Sequence, residues 1–594
     1  MERSSRAPPP LHARLRAWLP VALAVVFTGV VFGKGMWEGT TRFLGREYVD
    51  AWGTQWFYWF VGRQIGALES LGHSNLFFYP WGKDIYLHTG GNVLDGLLAW
   101  PIRWLLGPVA GYNLFVLAIV ATNLLAMRAL LLRLGTKAEP AALAAVFFAF
   151  NPWVLHELRD GRPTQALLGF VLLFFADYLS LDKDRRAWLP ARAGLWLALA
   201  GLTYWYNALF AGMAAALIGL LRVASARDRK RAFSRHAVAG IVALVLVGPF
   251  VLPMLAADAV PGLLDVSQWT LTSWAPTTSE GVNIGLYVFD PSSLGSGFIA
   301  IKNDGGMAFL REETNVFAVQ VIFFVLGALA APSRIRRAAL VLCAVSFVIA
   351  TGPSIGGVPN VLYLLLVKAS SIFQRLWWPS RALVLGHIGL AVLLGFALHR
   401  AGRLAPALAV VTGVWWVAGL RASELSPMAS WEAGVPAAYR CLGEAEDGAV
   451  LELPYAHTQS HLYYQTQHGR PLFGGMVEDN VVFAPKEQVA FKTDNTFVKM
   501  LLDQAAEGDD APLYLEADRK ALDDMGYKWV LLDKRAYVDI GDRGARIGTR
   551  LEGRARWVRR TLTELLGAPV YEDAASAIYA PWDDGSPCED GVGK

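Results

Sequence analysis

Long apolar stretches separated by short basic ones set the rhythm of this chain. The apolar stretches fall at 17–35, 112–132, 140–156, 165–181, 191–206, 208–222, 237–257, 314–331, 338–352, 382–398 and 403–420. Most approach the ~20 residues a helix needs to cross a hydrocarbon core about 30 Å thick. The pattern therefore predicts a polytopic α-helical membrane protein with about eleven transmembrane helices. Only the tight turn "TYWYN" separates the two spans within 191–222. After residue 420 the rhythm changes. "GAVLELPY" and "ASAIYAP" read as strands, "HLYYQTQH" and "PKEQVAFKTDNTFVKMLLDQAA" as helices, and "RKALDDMGYKWVLLDK" as helix-turn-strand. The last region, 421–594, is thus a soluble α/β domain large enough for its own core.

Charge gives the orientation. Arg3, Arg6, Arg14 and Arg16 precede the first span, Arg128, Arg133 and Lys137 follow the second, and "RVASARDRKRAFSR" follows the sixth. Every second loop is basic, and basic short loops stay in the cytoplasm. The N-terminal leader, 1–16, is then inside and the C-terminal domain outside. Between them, 17–420 forms the transmembrane domain, with outer loops at 36–111, 156–165, 258–313 and 353–381. Further spans follow the first one and no small-residue cleavage site does, so it reads as a retained anchor. Composition agrees: 54% of the 594 residues are hydrophobic and 18% charged, against about 45–50% and 25% in soluble proteins. The net charge of +4 is accounted for by topology, and no nucleic-acid partner is implied.

The outer loops hold the candidate chemistry. Glu47 and Asp50 stand beside the aromatic run "TQWFYWF" in the first loop. A carboxylate there can act as a general base on an incoming hydroxyl, and packed aromatics can raise its pKa. An ordinary polar loop beside an interfacial aromatic belt gives the same letters. Two stretches of that loop, "TQWFYWFVGRQIGALESL" and "NVLDGLLAWPIRWLL", read as amphipathic helices lying in the interface. Asp160, in "LRDGRP", stands between two arginines and is either an ion-paired turn or a second acid of one site. Arg375 and Arg381, in "QRLWWPSR", lie on the outer face against the positive-inside bias. Paired guanidinium groups suit a phosphate, and Lys302, Arg311 and Lys368 are further outer cations.

His457 and His461 have helical spacing but lack an HExxH frame, so a solvated helix face is the simpler reading. Cys441 and Cys588 bracket the outer domain and can pair there, while Cys343 lies within a span. The chain has no Walker loop, no GxGxxG after a strand and no GxSxG elbow.

Taken together, the chain resembles the GT-C superfamily of bacterial membrane glycosyltransferases. The resemblance rests on "EYVDAWGTQWFYWF" and "NLFFYPWGKDIYLH", on "AALAAVFFAFNPWVLHELRDGRPTQALLGFVLLF", on "SSIFQRLWWPSRALVLGHIGLAVL" and on "VLELPYAHTQSHLYYQTQHGRPLFGG". It implies a GT-C-like transmembrane domain with a periplasmic domain, in a bacterial inner membrane. The donor would be a polyprenyl-phosphate-linked sugar, and the acceptor an envelope glycan, a lipid or a protein. Asp50 matches the family's first-loop acid, a base or metal-binding residue, and Asp160 a second-loop acid. Arg375 and Arg381 match its phosphate-binding cations. No cofactor is required, and a divalent cation at Asp50 and Asp160 is compatible. The acids stand as "EYVD" rather than as an adjacent pair, and no WWD-type motif is present. A membrane protein that binds, moves or scaffolds lipid-linked glycans without catalysis is the competing expectation.

Overall fold

The computed structural model describes residues 11–47, 49–86, 92–256, 288–289, 301–302, 308–309, 324–352, 354–355, 358–374, 376, 379–455, 460–475, 484–506, 514–537 and 554–582. Contacts divide them into two compact units. One comprises the described residues within Met1–Arg46, Thr89–Ala259 and Leu263–Glu432; the other comprises those within Glu47–His88 and Ala433–Lys594.

The first unit is the membrane body. Its main helices are α1 (Leu11–Trp37), α2 (Pro108–Leu134), α3 (Ala138–Ala149), α4 (Pro152–Arg159), α5 (Gly169–Tyr178), α6 (Leu189–Thr203), α7 (Trp205–Ala224), α8 (Arg229–Ala256), α9 (Ser333–Ala350), α10 (Leu383–Ala401) and α11 (Ala405–Ala422). Among the described residues, six helical stretches are long and apolar enough to cross a membrane. The protein is a multi-pass membrane protein. Two expected spans come out short, with α5 at 10 residues and α6 at 15, because polar breaks interrupt the apolar runs.

Those breaks have named causes. Pro152 disfavours helix at the residue before it, so Asn151 turns extended. Its side chain then caps α4 by accepting from the Val154 N–H at 2.9 Å. Asn113 of α2 accepts from the Leu44 N–H at 2.8 Å and donates to the carbonyls of Gly39 and Arg42. It thereby fixes β1 (Arg42–Leu44), which pairs antiparallel with β2 (Ser430–Glu432) and stacks Phe43 on Trp431. Ten residues along α2, Asn123 donates to the Ala166 carbonyl at 2.8 Å and accepts from the Leu168 N–H at 2.9 Å, which holds the entry to α5. A backbone group left unpaired in lipid costs several kcal/mol, and these amides remove that cost where the helices stop.

The second unit contains a four-stranded sheet in the order β3 (Ala449–Leu453), β4 (Tyr527–Asp533), β6 (Ser576–Tyr579), β5 (Tyr571–Glu572). The β3–β4 pair is parallel and the other pairs are antiparallel. Leu451, Leu453, Val530 and Leu532 join Phe497, Leu501, Leu522 and Leu562 of the flanking helices in one core. Residues of the segment after α1 complete this unit. The helix Val49–Ala67 lies against the helix Ser460–His468, where Trp56 Nε1 donates to Gln465 Oε1 at 2.6 Å. Trp56, Phe60, Phe77 and Phe78 form a second core cluster with Leu462. The aromatic run therefore packs within protein instead of forming the expected interfacial belt, since an apolar helix face reads the same for either environment.

Within the membrane body Asp177, which is 2% exposed, clamps three helices. Its oxygens take Arg133 Nη1 of α2 and Arg192 Nη2 of α6 at 2.6 Å each, and Trp196 Nε1 at 3.1 Å. Replacing Asp177 by Ala leaves two guanidinium groups facing an empty acceptor. Losing one partner of a buried pair costs about 3–5 kcal/mol, and the half-open arginines reduce this to about 2 kcal/mol. Thermal unfolding in detergent is expected to show the loss for Asp177→Ala, with unchanged stability contradicting the clamp.

Candidate functional site

The end of α4 gathers an unusual density of charge. The helix stops at Asp160, and Gly161 turns away with φ +75°. Gly45 sits against this terminus with φ +106°, where a Cβ would lie 2.8 Å from the Arg159 carbonyl. Only glycine allows that approach. It lets the Arg46 N–H donate to the same carbonyl and brings the Arg46 side chain over the turn.

Asp160 is 1% exposed and is surrounded by cationic groups. Arg46 grips it side-on, with Nε 2.7 Å from Oδ1 and Nη2 3.0 Å from Oδ2. Arg159 Nε lies 3.2 Å from Oδ1 and Arg162 Nη1 3.5 Å from Oδ2. Arg159 Nη2 also approaches His156 Nδ1 at 3.0 Å. A guanidinium only donates, so Nδ1 accepts and the imidazole hydrogen sits on Nε2, 3.3 Å from Asp160 Oδ2. Burial alone would raise the Asp160 pKa, but His156, Arg162, Arg46 and Arg159 outweigh it and hold the carboxyl below its ordinary value.

Arg162 links this turn to a second acid. Its Nη1 lies 3.2 Å from Oε2 of Glu157, which is 1% exposed. Glu157 in turn interacts electrostatically with Arg381. Arg381 donates from Nη1 to the Tyr204 hydroxyl and lies 5.5 Å and 5.9 Å from the ring centres of Tyr204 and Tyr206. Beside these tyrosines Asn207 is 1% exposed, and neither of its amide atoms has a hydrogen-bond partner among the described residues. Gln165 Oε1 is a further buried acceptor without one.

The network thus sets four guanidinium groups, of Arg46, Arg159, Arg162 and Arg381, against two carboxylates, of Glu157 and Asp160. A surplus of positive charge beside unfilled amides is suited to an anion, and arginine forks suit phosphate oxygens. The same surroundings do not fit a metal at Asp160. Among the described residues, moreover, no three His, Cys, Asp or Glu side chains form a metal-binding group.

Of the residues singled out in the sequence, Asp160 and Arg381 fall in this network. Asp50, half-buried in the first turn of the helix Val49–Ala67, and the exposed Glu47 belong to the second unit. Lys302 lies on a two-residue strand, Ile301–Lys302, paired with Val288–Phe289. Arg375 lies outside the described residues, as do Arg311, His457 and Cys588. Cys441 is disulfide-bonded and Cys343 is a free thiol. Sequence reasoning did not single out Arg46, Glu157, Arg162, Tyr204 or Asn207. Five ionisable side chains within "HELRDGR" were a visible signal, whereas "TYWYN" read only as a turn.

Known structures share this architecture. The arabinofuranosyltransferase AftD from Mycobacteria superposes with a TM-score of 0.56 at 14% identity, over 98% of this chain and 42% of that one. The Archaeoglobus fulgidus oligosaccharyltransferase in its apo form gives 0.50 at 14% identity, over 88% and 70%. The oligosaccharyltransferase AglB from the same organism, solved with an inhibitory peptide and a dolichol-phosphate, gives 0.49 at 14%, over 89% and 70%. The fold is GT-C. The chain spans well under half the length of the mycobacterial protein. No protein-family model and no curated protein matches the sequence. In this GT-C fold the charged turn after α4 and the tyrosines at the start of α7, Tyr204 and Tyr206, converge on one network.

The Asp160 clamp has a pH signature. A carboxyl held below its ordinary value, about 3.9, stabilises the native state fully above about pH 5 and ceases to as pH falls through its native pKa. Asp160→Asn is expected to lose about 3 kcal/mol at pH 7. In thermal unfolding between pH 7 and pH 3, the gap to wild type should close only at the acid end. A gap that persists undiminished at pH 3 would rule out this origin.

Proposed function

We propose that this protein transfers a sugar from a polyprenyl-phosphate donor to an envelope glycan, lipid or protein acceptor on the outer face of a bacterial inner membrane. The supporting observation is the surplus of four guanidinium groups over two carboxylates in a bundle of GT-C fold. In this reading Asp50 takes the proton of the acceptor hydroxyl. The freed oxygen attacks the anomeric carbon as the bond from that carbon to the phosphate oxygen breaks. Charge then grows on the departing polyprenyl phosphate, where Arg381, with Arg375 and Lys302 as further candidates, stabilises it. Asp160 acts through Arg46 and Arg162, whose positions it fixes, and the C-terminal α/β domain receives the acceptor. The step needs no cofactor.

Two variants separate the roles. Cells carrying Asp50→Asn at normal protein level are expected to lose the same envelope sugar as a deletion strain, read by analysis of glycans and lipid-linked sugars. Wild-type glycans would remove Asp50 as the base and favour a non-catalytic lipid-glycan binder. Arg381→Gln should lower the transfer rate about 10²–10³-fold, the cost of losing one group that stabilises developing charge. In membranes supplied with a polyprenyl-phosphate sugar, an unchanged rate would exclude Arg381 from the phosphate site.

A further inference from the structure

At the end of the membrane body where Asp177 sits, α7, α8, α9 and the loop after α5 line an open cavity of about 620 Å³. That volume lies within the ~300–1,000 Å³ typical of small-ligand pockets. Seven arginines line it against two aspartates, Asp182 and Asp228, a surplus of five positive charges. Two of the seven are already engaged. Arg222 pairs with Asp182 at 3.3 Å and donates to the Leu179 carbonyl, and Arg235 donates to the Asp184 carbonyl at 2.7 Å. The other five, Arg185, Arg227, Arg231, Arg334 and Arg337, form no ion pair among the described residues. Arg334 and Arg337 also act on Arg222 as like charges. Membrane topology asks only for basic residues in the loop; it does not ask that they surround one cavity.

Two further features narrow the ligand. Arg231 and Arg334 stand in the first turns of α8 and α9, whose N-terminal dipole ends favour an anion. Apolar side chains adjoin the arginines. Leu221, Ile218 and Val341 line the cavity, and near it on the same helices Leu220, Phe233 and Leu340 are 66%, 63% and 40% exposed. A soluble anion has no use for such a surface, whereas acyl chains do.

We propose that this cavity binds the headgroup of an anionic phospholipid carrying two phosphates. Arg185, Arg227 and Arg231 face it from the loop and α8, Arg334 and Arg337 from α9, and the acyl chains run along the leucines of α7 and α9. Basic pockets between transmembrane helices are suited to such headgroups. This site is independent of the proposed transfer reaction.

The test is thermal unfolding of the full-length protein, delipidated in neutral detergent and titrated with cardiolipin, phosphatidylcholine or inorganic pyrophosphate. Cardiolipin is expected to raise the unfolding temperature and phosphatidylcholine to leave it unchanged. The double variant Arg334→Gln/Arg337→Gln should bind cardiolipin about thirtyfold more weakly, at roughly 1 kcal/mol per arginine near a charged lipid surface. Its unfolding temperature without lipid shows whether it is folded, and Arg185→Gln, in a loop, provides an independent variant. Arg400→Gln, in the last turn of α10, should bind as wild type does. Equal weakening by Arg400→Gln would reduce the effect to diffuse charge and overturn the site. A matching rise with pyrophosphate alone would overturn the lipid as ligand, and no response to cardiolipin would overturn both.

Discussion

A helix that stops inside a membrane bundle frees backbone groups that lipid cannot satisfy, and this architecture depends on meeting that constraint with side-chain amides. Asn113, Asn123 and Asn151 each bind backbone at a break. Asn360 does the same near the end of α9, donating to the carbonyls of Val348 and Gly352 and accepting from the Tyr363 N–H. An amide offers both donors and acceptors without charge, so it can hold two strands of chain at once. Asn151 and Asn123 bracket the charged turn after α4, and Asn92 accepts from the Trp205 N–H where α6 gives way to α7. The polar network exists because the apolar runs are interrupted at these places.

Charge within the network is arranged in opposition and in excess. The two acids draw four guanidinium groups to one end of the bundle, yet they neutralise only half of that charge. Two carboxylates shared among four guanidinium groups leave net positive charge, and arginine forks suit the oxygens of a further anion. The buried amide of Asn207, next in the chain to Tyr206, has no hydrogen-bond partner among the described residues and points the same way.

The overall class was legible in the sequence because hydrophobic length and the basic loops act one segment at a time. The turn at Asp160 was legible too, as an acid between arginines. Arg381 was visible because it stands in a loop that the pattern of basic residues assigns to the outer face. Arg46 was harder, since its partner Asp160 lies 114 positions along the chain. Glu157 was hidden because both Arg162, close by, and the distant Arg381 bear on it, so only the fold shows which carboxylate meets which arginine. Tyr204 and Asn207 sat in a stretch whose aromatic character suited a bundle interior equally well. The aromatic run after Asp50 misled for a related reason: its apolar face answers to a membrane surface and to a protein core in the same letters.

That run also has a consequence for biosynthesis. Trp56 finds its partner Gln465 409 positions later in the chain, and Phe77 and Phe78 share a core with Leu462. At ~5–20 residues per second, roughly 20–80 s of synthesis separate the emergence of these aromatics from the arrival of the segment that covers them. The growing chain must therefore keep a greasy surface shielded while the remaining helices are still being inserted. The rings that the finished protein buries within itself thus lack their native cover until the C-terminal domain has been made.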